Sequence, residues 1–304
     1  MTVTTVSTFG SVQTLLQNMN NVQSALNGEE DALSSGNKSN TFDGISGSVE
    51  QLTSVNSQLA DISGYTAGNT SIVSQMNVTS TVLGQINQLS TGIKSLIATQ
   101  SSGVSADSTF TQELNSDMSS LVSLLNTTYG GNFLFGGTDL STPPVKTQVP
   151  AAIAVGQLDT NYYQGSNQSA TFSISASAQI TPGVRADNAA FQNLFAGIRQ
   201  ALSAASGSTP DVSALQSAEN LVDQGIQGVT NLQANVNSNI LIVQQQNTQD
   251  QSVQTYLQGI VTNISSTDVV QVSTQVAQDT SILQASFAAF ARISGLSLAT
   301  YLNG

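Results

Sequence analysis

The sequence contains no cysteine, no histidine and no tryptophan. Without cysteine there is no disulfide, no thiolate ligand and no thiol nucleophile. Without histidine there is no imidazole base, no Ser-His-Asp triad and no HExxH zinc site. Aromatic residues make up 5% of the 304 positions, so the large rings that fill a thick globular core are scarce. Charged residues are 8%, against about 25% in ordinary soluble domains. Only Lys38, Lys94, Lys146, Arg185, Arg199 and Arg292 are basic, they are scattered, and the net charge is −12. Nucleic-acid binding needs a basic stripe to neutralise phosphates, and anionic membrane surfaces need the same, so neither is expected as a partner. No run of about 18 apolar residues is present to span a membrane. No basic opening followed by an apolar core precedes Lys38, which predicts export, if any, without a cleavable signal peptide.

What the chain has instead is apolar periodicity among Ser, Thr, Asn and Gln. Near the C-terminus Val269, Val276, Leu283 and Phe290 recur every seven residues, and Val272, Phe287, Ile293 and Leu296 widen the stripe. Leu298, Tyr301 and Leu302 carry it almost to the end. This is the pattern of an amphipathic helix with a narrow seam that packs on another helix. The N-terminal segment offers a partner, with Phe9, Val12, Leu15, Leu16, Met19, Val22, Leu26 and Leu33 at steps of three and four. The two ends are therefore expected to pair with each other and with copies of themselves.

Taken in order, residues 1–8 are β-branched and expected to be loose. A helix is predicted from Phe9 to Ser34, weakened by Gly10 and Gly28 at roughly 1 kcal/mol each and stopped by Ser34-Ser35-Gly36. The acidic trio Glu29, Glu30 and Asp31 reads as a solvated far side. Residues 36–47 form a turn-rich break. A second stripe runs from Val49 to Ile97 across Gly64 and Gly68. It reads as one helix over 48–99, roughly 75 Å if unbroken, or as two. A loop at 101–109 and a third helix from Phe110 to Leu125 follow.

The period then changes. Phe133-Leu134-Phe135 reads as a short strand before Gly136-Gly137 and Pro143-Pro144. Strict alternation from Ala170 to Ile180 reads as one half-buried strand. Tyr162, Tyr163 and Gly165 read as a turn with packed rings in preference to a carbohydrate or ligand surface. Helix returns with Asp187 or Asn188 as N-cap. Asp211 caps a long helix over 211–264, in which Val222, Val229, Val236 and Val243 repeat every seven residues. Asp268 caps the terminal helix.

The predicted fold is mainly α: an elongated antiparallel helical bundle or coiled-coil rod with paired terminal helices and a small β-containing insert. Three domains are expected: a terminal-helix assembly domain (1–44 with 265–304), a helical rod (45–131 with 187–264) and an outer insert (132–186). No metal or cofactor site is predicted. Asp139 and Asp159 are the carboxylates an enzyme reading would use, but neither sits in an acid/base motif, so no enzyme is expected.

Three stretches carry a resemblance. Leu33-Ser34-Ser35-Gly36-Asn37-Lys38 is similar to an LSSGK-type motif. Gly131-Asn132-Phe133-Leu134-Phe135-Gly136-Gly137-Thr138 with Pro143-Pro144-Val145 is similar to a YLFSGT…PPF stretch. The run from Leu283 through Phe287, Ile293, Leu296, Ser297 and Leu298 to Tyr301-Leu302 is similar to an LQAS…LSL.dYL signature. Together they resemble the flagellin superfamily of bacterial axial proteins, and within it the proteins joining hook to filament more than the filament flagellins.

The resemblance implies an extracellular flagellar subunit exported by a type III route. Its terminal helices would assemble with copies of itself, a neighbouring hook-associated protein and flagellin, and an export chaperone would cover the C-terminal helix beforehand. The alternatives are a filament flagellin and, from another class, a secreted coiled-coil adhesin or effector. Many flagellins carry Arg and Glu in the second-helix stretch read by the Toll-like flagellin receptor. Here that stretch is Gln85-Ile86-Asn87-Gln88-Leu89. Weak activation of that receptor is therefore expected in a reporter-cell assay, and signalling as strong as that of a charged flagellin would contradict the reading.

Overall fold

The computed structural model describes residues 3–39, 41–102, 108–146, 161–206 and 209–302, and the side chains of 3–9, 42–44, 108 and 296–302 lie outside that description. The chain is 76% helical. Among the described residues it forms α1 (Val3–Ser35), α2 (Val49–Ser101), α3 (Ser108–Leu125), α4 (Ala189–Ala204), α5 (Val212–Ser265) and α6 (Val269–Leu302). Between α3 and α4 lie two small antiparallel pairs, β1 (Thr128–Tyr129) with β2 (Asn132–Phe133), and β3 (Phe172–Ser173) with β4 (Gln179–Ile180). The chain divides into two compact units, Met1–Asp61 with Val253–Gly304, and Ile62–Ser252.

Side-chain caps set several helix ends. Asn188 Oδ1 accepts from the Ala190 N–H at 3.0 Å, and Asp211 Oδ1 accepts from Ala214 at 3.1 Å. Asp268 Oδ1 accepts from Val270 and Gln271 at 3.0 and 3.1 Å. Each satisfies N–H groups that the first helical turn leaves without partners. Gly36 ends α1 in the left-handed region (φ 71°), its N–H donating to the Ala32 carbonyl at 2.9 Å.

Several expectations are corrected. Residues 3–8, expected to be loose, are helical; β-branched residues cost a helix only a few tenths of a kcal/mol each, and no glycine or proline precedes Gly10. The break at 36–47 contains a 3₁₀ segment, Phe42–Ser48. After α3, Gly130 and Gly131, at φ 58° and 85°, make the two-residue turn of a β1–β2 hairpin not predicted from the sequence. The single strand expected at 170–180 is a hairpin. Ile174 N–H bonds back to the Ala178 carbonyl at 2.9 Å, and the chain reverses through Ser175–Ser177. Small side chains at the centre of the alternating run leave nothing to hold it extended.

α2 runs unbroken through Gly64 and Gly68. At Gly68 the reason is visible: a Cβ would stand 3.2 Å from the Phe172 ring, which packs there from β3. The core of the Ile62–Ser252 unit joins α2, α3, α4 and α5 to the insert, around fully buried Met76, Leu83, Ile86, Ile93, Leu114, Phe135, Tyr162, Phe191 and Phe195. Phe135 meets Phe191 edge-on at 6.1 Å, and Tyr162 lies 4.4 Å from Phe195. The Tyr162 hydroxyl donates to the Ala186 carbonyl at 2.7 Å, so this ring is packing, as predicted.

Within this unit α2 and α5 are antiparallel and share a ladder of polar pairs. Ser80 bonds Asn237 at 2.8 Å, Asn87 bonds Thr230 at 2.9 Å, and Lys94 pairs Asp223 at 2.7 Å. Successive rungs are seven residues apart on both helices. Further along, Asn69 Nδ2 donates to Asn247 Oδ1 at 2.9 Å, one residue out of that register. Many Ser and Thr hydroxyls on the helices, among them Thr53, Thr66, Ser74, Thr81 and Ser119, donate to their own i−4 carbonyl.

α4 approaches α5 through glycines. A Cβ at Gly225 would fall 2.6 Å from Leu194 Cγ, one at Gly228 2.6 Å from Ala190 Cβ, and one at Gly197 2.6 Å from Val222. Gly228→Ala is therefore expected to cost about 1–3 kcal/mol through overpacking. Gly92→Ala, where a Cβ meets nothing within 4 Å, is expected to stabilise by about 0.5–1 kcal/mol. Urea unfolding of the two variants tests the contrast, and equal midpoints would contradict it.

Candidate functional site

The unit that contains both terminal helices carries the candidate site. α1 ends where α6 begins, and short backbone bonds lock that junction. The Lys38 N–H donates to the Ser265 carbonyl at 2.7 Å and the Thr267 N–H to the Gly36 carbonyl at 2.9 Å. Lys38 Nζ donates to the Asn263 carbonyl at 3.0 Å. The Leu33–Lys38 motif thus acts as a clamp: its glycine ends α1 and accepts from Thr267, and its lysine holds the end of α5. From this junction α1 and α6 run antiparallel and packed together.

The seam follows a strict heptad on both helices. Val12, Leu15, Met19, Val22, Leu26 and Glu29 face inward from α1; Val272, Val276, Asp279, Leu283, Ser286, Phe290 and Ile293 do so from α6. Met19 and Leu26 are buried, and Val12, Leu15, Val22, Val276, Leu283 and Phe290 are half-buried. Four of the residues singled out from the sequence stand outside the seam. Leu16 is 41% exposed, Leu33 38%, Val269 53% and Phe287 54%. Phe9, Leu296, Leu298, Tyr301 and Leu302 lie on the two helices, with side chains outside the described residues.

The structure also brings in two groups that the sequence reading placed elsewhere or passed over. Glu29, assigned to a solvated far side, sits in the seam with its Oε2 shielded from water and without a hydrogen bond. Asp279 is buried on the facing helix, with Gln275 Nε2 3.4 Å from its Oδ1. The signal was present: counting 3-4-3-4 from Val12 lands on Glu29, and the same count from Val272 lands on Asp279. Desolvation first, and the Asp279 charge second, push the Glu29 carboxyl above its ordinary value.

Nothing comparable suggests catalysis elsewhere among the described residues. Asp139 caps a turn, accepting from Ser141 N–H, Ser141 Oγ and Thr142 N–H at 3.0 to 3.1 Å. Hydrogen bonds from Thr142 and Ser141 hold its carboxyl below the usual range. Asp159 lies outside the described residues. Burial, with the Asp187 charge nearby, pushes the Tyr163 phenol up to about 12. It stays protonated and donates to the Ser166 carbonyl at 2.6 Å. A cleft beside α5 contains Arg185, Asp187 and Asn239. There Arg185 pairs with Asp187 at 2.9 Å and Asn239 donates to the Thr181 carbonyl at 3.1 Å, so its polar groups serve one another. No group of three or more metal-binding side chains occurs, and no helix is long and apolar enough to cross a membrane, among the described residues.

The glycine-rich motif before α4 has a structural job. The Gly136 carbonyl accepts from Ser166 at 2.9 Å. A Cβ on Gly165 would lie 2.6 Å from that same carbonyl, and one on Gly137 (φ 70°) 2.5 Å from the Ser166 carbonyl. The two segments therefore close on each other only as glycines.

Residues 6–139 match the bacterial flagellin N-terminal helical region. No curated protein sequence matches the chain significantly. Among solved structures, the fold is similar to a Vibrio parahaemolyticus protein described as a flagellar hook-associated protein. The two share 12% identity and a TM-score of 0.59, over 70% of this chain and 95% of that one. FlgL of Bacillus cereus is similar at 15% identity and a TM-score of 0.55, over 70% of this chain and 99% of that one.

The Glu29 geometry generates a pH prediction. A carboxyl whose folded value lies above its reference of 4.5 holds its proton more tightly when folded. Its contribution is most favourable below that reference and is lost as pH rises through the raised value. Glu29→Gln is therefore expected to raise the melting temperature at pH 7, with the gain fading by about pH 3.5. Circular-dichroism melts of the full chain at both pH values check this; identical melts at pH 7 would contradict it.

Proposed function

We infer that this chain, with a flagellin N-terminal helical region on the fold of hook-associated proteins, is a flagellin-superfamily structural protein of the bacterial flagellum. We propose that it joins hook to filament. The observation that carries the reading is the α1–α6 pair within a flagellin-type chain. Its seam is half-buried along most of its length, and Leu16, Ile282 and Phe287 flank it exposed. Burying a Leu or Phe fully contributes about 1.5–3 kcal/mol, so several flanking residues covered by neighbouring copies would make a stable tube wall. The likeness, over 70% of this chain, to two proteins of hook-associated type favours the junction over the filament. The family match itself is shared with filament flagellins, which keeps that reading as the alternative.

On this proposal the terminal helices, 1–44 with 265–304, form the assembly domain. The helical segments 45–131 and 187–264 form the rod, and 132–186 points outward. The seam and flank residues, with Phe9, Leu296, Leu298, Tyr301 and Leu302, make the contacts to copies, flagellin and a neighbouring hook-associated protein. The protein leaves by type III export and works outside the cell as part of the flagellum. Before that, a chaperone covers the C-terminal helix, because isolated helices with many β-branched residues are marginal. It acts as a subunit and not as an enzyme, and it uses no cofactor.

Seeded assembly tests the proposal. Purified chain is added to sheared hook and filament fragments and imaged by electron microscopy. The expected result is binding at one end that saturates after a short zone. Fragments that lengthen in proportion to added protein would make it a filament flagellin, and no binding at all would overturn the flagellar reading.

A further inference from the structure

The charges on the terminal helices are sparse and unequally placed. α1 carries no cation, and α6 carries one, Arg292. Among the described residues Arg292 is exposed and has no hydrogen bond or ion pair. The other cations are committed. Lys94 and Arg185 pair with Asp223 and Asp187; Lys38 and Lys146 reach backbone carbonyls; Arg199 is buried.

On α1, Glu30 and Asp31 are adjacent, exposed and without an ion pair. The remaining acids of this helix pair are occupied otherwise: Glu29 and Asp279 turn into the seam, and Asp268 caps α6.

Position and direction then matter. Arg292 follows the seam residue Phe290 by two, and Asp31 follows Glu29 by two. Two residues turn a helix by about 200°, so both charges stand on the outward faces of their helices, on opposite sides of the pair. They cannot meet within one copy. The Gly36–Thr267 bond fixes the antiparallel register, and it sets Asp31 level with the start of α6. Arg292 lies roughly 30 Å further along at 1.5 Å per residue.

We propose that the outward face of α6 docks on the outward face of α1 in a second copy, with Arg292 of one copy paired to Asp31 and Glu30 of the next. The occupant is a second copy because the charges are complementary, unpaired and separated by the pair itself. Such a contact uses two different patches, so it propagates from copy to copy in place of closing a two-fold dimer. It also sets the stagger: neighbours are offset by roughly 30 Å along the helix axis. This inference rests on the proposed assembly function and specifies its contact.

The absence of native cysteine makes a clean test. D31C chains and R292C chains are each mixed with an excess of unmodified chain on the fragments, separately and together. They are then treated with a bis-maleimide of about 10 Å reach, since a direct disulfide demands closer backbones. Covalent dimers only when both variants are present are the expected result; the separation within one copy exceeds the linker. A second measurement uses charge reversal. R292D and D31R should each reduce assembly, and mixing the two should restore part of it in alternating contacts. If unmodified chain assembles but the mixed variants give no dimer and R292D assembles normally, the docking contact is overturned while the assembly function stands. If unmodified chain does not assemble on any fragment, the assembly function fails and the contact falls with it.

Discussion

Two helices of more than fifty residues, held only by apolar side chains, could slide past each other by a heptad at modest cost, because an apolar side chain recurs seven residues on. α2 and α5 are such helices. What prevents the slide is the polar ladder. Ser80 with Asn237, Asn87 with Thr230 and Lys94 with Asp223 are different pairs at equivalent positions, and a one-heptad shift in either direction would part Lys94 from Asp223. Individually these exposed bonds are weak. Their value is in choosing one register out of several that the apolar seam accepts. Everything in the Ile62–Ser252 unit depends on that choice. The glycine approaches of α4 to α5 and the Phe172 ring over Gly68 need particular residues level with one another.

The terminal pair solves the same problem differently. Its seam holds no complementary polar rung. It holds Glu29 and Asp279, two acids with no cation on either helix nearby. Register is set at one end, by the Leu33–Lys38 clamp on Ser265 and Thr267. A helix pair pinned at one end and carrying repulsion in its seam is built to be completed by something else. That is consistent with a segment whose stability comes from neighbours and not from its own packing.

Much of this could be read from the residues. Heptad valines and leucines located the helices, and Asn188, Asp211, Asp268 and Gly36 marked their ends because capping is a local chemistry. The insert was harder. Its alternating run from Ala170 to Ile180 obeys the strand period, yet the chain folds back through Ser175–Ser177. Register between two short strands is decided by what packs on them, here Phe172 against α2, and that information is far away in sequence. The Gly130–Gly131 turn was readable from its dipeptide but was masked by the helix end before it. In the terminal pair, apolar residues drew the eye, so the inward carboxylates were assigned by their chemistry instead of their position. Leu16 and Phe287 show the reverse: apolar residues at helical spacing that the pair leaves uncovered.

The hydroxyls bonded back to their own helices have a bearing on crowding. A serine or threonine that donates to its i−4 carbonyl has already spent its proton, and the backbone oxygen has gained a second partner. When another surface closes over Thr53, Ser74 or Ser119, no donor is stranded by the departing water. The outside of the helices is therefore polar enough to stay dissolved as a single molecule, yet inexpensive to dry. A coat of lysine and glutamate would have kept the chain soluble too, but each charge would resist dehydration. By dressing its helices in self-satisfied hydroxyls, this protein keeps a surface that water covers readily and leaves without protest.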